Sequence, residues 1–451
     1  MTLKPKQIHY FCMSLCLALM AFANSSLALD IKKAVQNYEK TPPPVQAGEQ
    51  ITVSISYKSV RSNDSKPVIG FVHGIAGASS ASDDFPQATK DKIVALKPAL
   101  WKVSDPTHYQ IAKQYSPRII VPPADTLYGY DPMPEPWKDW AKYERHFSSL
   151  VMQSLQHNAP VDYWNIWNEP QFGKYENPAL VAEGFKRGYQ AIKSADPTAK
   201  VIGPSTIGFS DKIMASFLDY ADKNSLKFDA YNWHEFGRPE ALPEHVKTMR
   251  ALLAKHPSLG QPPFIIDEFA TPEQHLQPGF AVAWFYYLEE ADIKLSARAC
   301  WDVEDSQKWS DCWNGLDGLF LKDNLTPQPL YWVFKTYSEL NGSRIVTSSS
   351  DAKDTVALAS KSDSTFSTII GRFNNEKTPT SVRRVTVNLS ELPATKMHVV
   401  VYRIPNPDKT PKALPQPLKI YEGDVVIRAG SANLLIEQFK DGDAYILNAS
   451  F

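Results

Sequence analysis

Two glutamates at the ends of apolar runs carry the most chemical information in this chain. One closes Tyr163-Trp164-Asn165-Ile166-Trp167-Asn168-Glu169-Pro170, the other Phe264-Ile265-Ile266-Asp267-Glu268-Phe269. An apolar run that ends in a carboxylate delivers an acid to the rim of a sheet. There, partial burial and repulsion by a second carboxylate separate a proton donor from an ionised partner. Carboxylates paired in that way open glycosidic bonds, one protonating the leaving oxygen while the other acts at the anomeric carbon. Tryptophan offers the complementary surface, because sugar rings stack their C–H faces on flat aromatics. All eleven tryptophans lie between Trp101 and Trp332. Trp101, Trp137, Trp167, Trp233, Trp301, Trp309 and Trp313 are candidates for a saccharide groove, Trp167 and Trp301 above the rest because each ends a run beside acidic residues.

Positioning these groups requires a scaffold, and the pattern supplies one. Short β-rich apolar runs at 68–73, 99–103, 118–121, 161–167, 200–202, 228–233, 263–266 and 297–301 alternate with stretches of helical period, as at Leu180, Phe185, Tyr189 and Ile192 after the Asn177-Pro178 start signal. Eight such units over 67–342 predict an α/β fold, a (β/α)8 TIM barrel, with a doubly wound open sheet as the competitor. In a barrel the chemistry gathers at the C-terminal ends of the strands, which is where Glu169 and Glu268 stand. From 343 to 451 the text changes to alternating strands such as Val385, Val387 and Leu389, and Met397, Val399 and Val401, predicting an accessory C-terminal β-sandwich. Ile51, Val53, Ile55 and Tyr57 alternate too, so the segment 29–66 is expected to add a strand to that sandwich, after a Pro42-Pro43-Pro44 run.

The Trp167-Asn168-Glu169-Pro170 motif at a fourth strand, with Glu268 at a seventh, resembles the retaining glycoside hydrolases built on this barrel, and most of all glycoside hydrolase family 39. The run 327–342 is similar to the family's final barrel helix. The resemblance implies Glu169 as general acid/base, Glu268 as nucleophile and Asn168 as the amide that holds the substrate 2-hydroxyl. His234 resembles the family's sixth-strand histidine in the sugar site, although Phe236 stands where the family often has an aromatic hydroxyl. Lys102 takes the place where many clan members carry Arg, as cationic support for Glu268. His73, Tyr231, Trp167 and Trp301 complete the expected sugar contacts. Asp267 is expected to be structural, because adjacent strand residues face opposite sides. Asp302, Glu304 and Asp305 read as a solvated loop, and Tyr128, Tyr130, Met133 and Trp137 as cleft-lining, favouring an oligo- or polysaccharide. Both endo-acting and exo-acting, xyloside-type specificities fit.

Composition narrows the field further. Lys plus Arg (48) nearly cancels Asp plus Glu (49), so no global charge invites nucleic acid. Residues 1–28 read as a secretory signal peptide, with Lys4 and Lys6 before the apolar stretch Phe11 to Ala23, too short for a transmembrane anchor. An exported, periplasmic or extracellular chain then retains two cysteines, Cys300 and Cys312, which read as a loop-closing disulfide. No metal or organic cofactor is expected, since His234-Glu235 begins like H-E-x-x-H but residue 238 is Arg. No feature fixes an oligomeric state. One rival is a carbohydrate-binding protein that has lost catalysis. The other is a secreted serine esterase, suggested by His73-Gly74-Ile75-Ala76-Gly77. Gly70 with Gly74 and Gly184 with Gly188 enclose Val72 and Lys186, so no G-x-S-x-G elbow accompanies it.

Overall fold

The computed structural model describes residues 50–63, 66–74, 86–103, 108–129, 135–156, 161–170, 178–301, 312, 316–321, 325–374, 382–408 and 410–451. The leader read over 1–28, the Pro42-Pro43-Pro44 run, Ile75-Ala76-Gly77, Tyr130, Met133, Asn177, Asp302, Glu304, Asp305, Trp309 and Trp313 lie outside the described residues.

After an opening strand, β1 (Ile51–Ser62), that belongs to the second lobe, the chain builds a barrel. Its strands are β2 (Ile69–Val72), β3 (Trp101–Lys102), β4 (Ile119–Val121), β5 (Tyr163–Asn165), β6 (Val201–Thr206), β7 (Ala230–Glu235), β8 (Phe264–Phe269) and β9 (Leu295–Arg298). They pair in parallel in chain order and β9 returns to β2, so the sheet is closed and the doubly wound open sheet is excluded. The connecting helices are α1 (Gln87–Ala95), α2 (His108–Ala112), α3 (Pro123–Tyr128), α4 (Trp140–Gln156), α5 (Pro178–Ala195), α6 (Asp211–Lys223), α7 (Leu242–Leu253), α8 (Pro278–Glu290) and α9 (Pro329–Glu339).

Strand alternation divides the apolar residues between two layers. Val72, Leu100, Ile120, Tyr163, Ile202, Ala230, Ile265 and Leu295 fill the barrel interior. Phe71, Trp101, Trp164, Tyr231, Trp233 and Ile266 face the helices instead. Helix α5 shows why the outer ring forms: Val181, Phe185, Gly188 and Ile192 recur at intervals of three or four and are all buried, one stripe laid against the sheet. Gly70 on β2 is demanded by a close approach, since a Cβ there would lie 1.7 Å from the Leu100 carbonyl oxygen.

The second lobe comprises β10 (Ser343–Ser349), β11 (Thr355–Lys361), β12 (Thr365–Arg372), β13 (Arg383–Ser390), β14 (Lys396–Ile404), β15 (Leu418–Val426), β16 (Ala432–Phe439) and β17 (Ala444–Ser450). With β1 they make one hydrogen-bonded sheet in the order β15-β14-β17-β12-β11-β10-β1-β13-β16. It folds over so that Val385 and Val387 towards one edge share an apolar core with Val399 and Val401 towards the other. The two layers of this sandwich are thus halves of a single sheet. Strand β1 sits between β10, antiparallel, and β13, parallel.

The lobes are packed face to face. Ala357 and Ala359 of β11 point into the sandwich, whereas Val356 and Leu358 join the barrel's outer core, which buries β11 on both sides. Helix α8 lies beneath it and is apolar nearly all round because it has the barrel on one flank and the sheet on the other. Gly279 opens that helix against the sheet, where a Cβ would lie 1.8 Å from the Arg372 carbonyl oxygen. No described helix is long and apolar enough to cross a membrane.

Candidate active site

Lys102 is the centre of the barrel mouth. It is the inward residue of the two-residue β3, Trp101 being turned out, and its side chain is 2% exposed. The ammonium has three protons and finds three acceptors: Asn168 Oδ1 at 2.7 Å, Asp267 Oδ2 at 2.7 Å and Glu268 Oε1 at 3.0 Å. Burial works against this charge, but Asp267 and then Glu268 outweigh it and hold the lysine above its ordinary pKa. Burial would likewise raise Asp267, yet Lys102 and then His234 keep it well below the usual carboxylate range.

Asp267 therefore faces the mouth together with Glu268, contrary to the expectation from alternation. The reason is a local bulge. Trp233 of β7 pairs with Ile266, but the next residue, His234, pairs with Glu268, so Asp267 is the extra residue and both carboxylates reach Lys102. Asp267 also accepts from Ser205 Oγ at 3.0 Å, and Asn165 Nδ2 donates to the same Ser205 oxygen at 3.0 Å.

His234, fully buried, links the two glutamates. Its Nδ1 lies 2.9 Å from Glu169 Oε1, and its Nε2 lies 3.8 Å from both Asp267 Oδ2 and Glu268 Oε1. Burial disfavours the imidazolium, but Glu268 foremost among its neighbours raises it to about 9. One carboxylate oxygen of Glu169, one nitrogen of His234 and one carboxylate oxygen of Glu268 all lie within 4.8 Å of one another. Glu169 itself has φ +49°, a left-handed conformation unusual for a side chain of this size, and its N–H donates to the Ser205 carbonyl at 2.9 Å.

The other sequence-derived residues divide. Asn168 belongs to the cluster through Lys102. His73, half-buried at the end of β2, faces Glu268 and Lys102, and burial lowers its imidazole to about 4. Trp301 is half-buried just past β9, its Nε1 donating to the Ala270 carbonyl at 3.0 Å. Phe236 stands edge-on between it and His234, with ring centroids 5.2 and 5.3 Å away. These aromatics frame one wall.

Trp167 and Tyr231 are not brought to the mouth. Strand β5 stops at Asn165, so alternation no longer governs Trp167, which packs outward at 1% exposure against Phe185 and Gly184 of α5. Tyr231 is three residues from the inward His234 on a regular strand, hence outward, among Phe217 and Phe228. Trp101 and Trp233 are fully buried in the same outer layer, and Trp137 is partly buried against it.

One carboxylate was missed. Asp125 sits in the first turn of α3, one turn beyond the end of β4, and accepts the backbone N–H of Asn168. Burial pushes it up to about 7 against the pull of Lys102. Its signal was the acid in Pro123-Ala124-Asp125 directly after a barrel strand. Beyond the mouth, Cys300 and Cys312 form a disulfide with Cα atoms 5.3 Å apart, and the backbone N–H of Trp301 donates to Asp317 Oδ2 at 3.2 Å.

No protein-family profile matches the chain. A stretch of 190 residues is 25% identical to the beta-xylosidase of Geobacillus stearothermophilus, covering 36% of this chain and 38% of that one. The chain thus spans well under half the length of this curated relative. Among solved structures, N2152 from Neocallimastix frontalis matches with a TM-score of 0.74 at 18% identity, covering 89% of this chain and 100% of that one. The GH39 enzyme from Xanthomonas axonopodis pv. citri matches with a TM-score of 0.63 at 14% identity, covering 91% and 98%. Closed barrel, attached sheet and relatives together define a glycoside hydrolase-like protein. Within that class, the resemblance to glycoside hydrolase family 39 is supported by the beta-xylosidase relative and the family 39 neighbour.

Proposed function

We propose that the chain is an exported, retaining glycoside hydrolase that cleaves O-glycosidic bonds of an oligo- or polysaccharide by double displacement. The observation that carries this reading is the approach of Glu169 and Glu268, whose nearest carboxylate oxygens lie within 4.8 Å. Retaining enzymes hold their two carboxyl groups about 5 Å apart, whereas inverting enzymes need several ångströms more to admit a water.

In the first step a Glu268 oxygen attacks the anomeric carbon, the bond to the leaving oxygen breaks, and that oxygen takes the proton carried by Glu169. Lys102 occupies Glu268 Oε1 and leaves Oε2 for the attack. In the second step Glu169 removes a proton from water, the hydroxide attacks the same carbon, and Glu268 is released as a carboxylate. Esterification removes one negative charge beside His234, so the His234–Glu169 contact couples the charge on one glutamate to the proton on the other. Asn168, fixed by Lys102, is suited to the 2-hydroxyl, and Trp301 with His73 to the walls of the subsite. The relative makes a xyloside the first substrate to test. The basic, then apolar, then small-residue pattern of 1–28 and the Cys300–Cys312 bridge support export.

Trapping with a 2-fluoroxyloside tests the reading directly. The expected result is a covalent label on Glu268 and a product that keeps its anomeric configuration. Glu268→Gln is expected to abolish turnover, and Glu169→Gln to damage substrates with poor leaving groups most. Saccharide binding without any label would favour the catalytically inactive binding protein. Near-normal hydrolysis of an unactivated glycan by either variant would overturn the assignment.

A further inference from the structure

A second cleft, of about 610 Å³, opens where α9 meets the sheet, away from the barrel mouth. Trp332 and Glu339 on α9 form one side. Ser367 on β12, Tyr402 on β14, Asn448 on β17 and Gln416 in the approach to β15 form the other. Trp332 reaches across to the second lobe: its Nε1 donates to the Leu414 carbonyl at 2.6 Å, and Tyr331 braces it edge-on with centroids 5.1 Å apart. A half-buried indole anchored in this way is a ready apolar wall that needs no ordering when a ligand arrives.

The polar groups point to the kind of ligand. The two charges in the cleft are already matched, Glu339 by Lys335 and Lys419 by Glu422 at 2.6 Å, so neither an anion nor a cation is called for. The side chains of Ser367, Gln416 and Asn448 make no hydrogen bond to another described residue and offer both donors and acceptors. Anchored aromatics flanked by uncommitted amides and a hydroxyl, in a cleft at a lobe boundary, suit a neutral ligand with apolar faces and a hydroxyl fringe.

We propose that this cleft is an accessory glycan-binding site, which holds a neutral polysaccharide chain on the flank of the molecule through Trp332, Tyr402 and Asn448. It rests on the glycosidase reading only for the choice of polymer. Its role is to keep the enzyme on its substrate between cleavages, raising the local concentration of bonds at the mouth.

The test is affinity electrophoresis of the full chain carrying Glu268→Gln, in gels cast with soluble arabinoxylan or with xyloglucan. The protein is expected to be retarded by at least one polymer. Adding Tyr402→Ala, Asn448→Ala or Trp332→Ala is expected to weaken the apparent association about 10-fold each, an anchor-sized effect. In the chain with Glu268 intact, the same three substitutions are expected to leave kcat/KM on a small aryl xyloside within about twofold. Asn448→Ala, which removes a side chain with no hydrogen-bond partner among the described residues, keeps the test sound if Trp332→Ala fails to fold. Free migration of the Glu268→Gln protein through both polymers, or retardation indifferent to Tyr402→Ala and Asn448→Ala, overturns the proposal. Retardation that those two substitutions abolish, in a protein that hydrolyses no glycoside, upholds the cleft and sinks the glycosidase reading instead.

Discussion

The barrel mouth and the seam between the lobes both bury charge, and they do it in opposite ways. At the seam, Arg372 directs Nε and Nη2 to the two oxygens of Asp354 at 2.9 and 3.2 Å and gives Nη1 to the Phe439 carbonyl. Arg344 is held similarly by Glu289 and the Leu340 carbonyl. Each guanidinium has its own carboxylate, in the bidentate geometry that suits both groups. At the mouth a single ammonium is shared among Asn168, Asp267 and Glu268, and Asp267 Oδ1 is buried without a hydrogen-bond partner among the described residues. Burial of charge alone therefore does not mark a site. Sharing of one cation among several acceptors does, because such a cluster changes its interactions when one member changes charge.

The largest effect that separates the two regions is expected from Lys102→Met. It strands Asp267 and Glu268 beside each other, so kcat/KM is expected to fall about 10³-fold or more and stability by about 3–5 kcal/mol. Lys102→Arg is expected to restore little, since a planar fork cannot serve three acceptors arranged around a point. Steady-state kinetics and urea unfolding check both. Activity within tenfold of normal in Lys102→Met would erase the distinction.

Arg372→Met is the counterpart at the seam. A similar loss of about 3–5 kcal/mol is expected, with kcat/KM nearly unchanged once folded. The double variant Arg372→Met/Asp354→Leu is expected to recover most of that loss, as a well-satisfied ion pair is replaceable by apolar packing. Failure to recover would mean that the seam, like the mouth, depends on its charges.

A third measurement uses pH. His234 is raised from 6.5 to about 9, so its contribution to stability is complete below pH 6.5 and disappears as the pH climbs through 9. The difference in unfolding free energy between the unsubstituted chain and His234→Gln is expected to be level below pH 6.5 and then to shrink, by on the order of 3 kcal/mol, towards pH 9. A difference that grows with pH would place the imidazole in its neutral form. The smallest effect is expected from Tyr231→Phe, which removes a buried hydroxyl that has no hydrogen-bond partner among the described residues. Stability is expected to stay level or rise by up to about 1 kcal/mol, with kcat/KM intact. A loss of activity would return Tyr231 to the sugar site.

Much of this arrangement was legible in the sequence, and most of the misses concern which way a side chain points. The eight apolar runs correspond to β2–β9, because parallel strands buried on both faces leave unmistakable apolar text. The carboxylates at the ends of the fourth and seventh runs face each other because the barrel closes. Direction was the harder reading. Tyr231 was excluded by parity with His234, and that was visible in the sequence. Trp167 and Asp267 were not so readable, because one lies beyond the end of β5 and the other in a bulge, and no local pattern records either break. Trp332 was passed over because helical tryptophans usually pack in cores. Only the placement of β12, β14 and β17 against α9 opens a cleft beside it.

The position of β1 has a consequence for how the molecule is made. It lies in the interior of a sheet whose other members are encoded after the barrel, so a ribosome releases this strand long before either neighbour exists. Until β10 and β13 emerge, its apolar side must wait uncovered or rest elsewhere. The sandwich is consequently the last lobe to close, and trimming the gene to the barrel's first residue would leave a slot through the middle of its sheet.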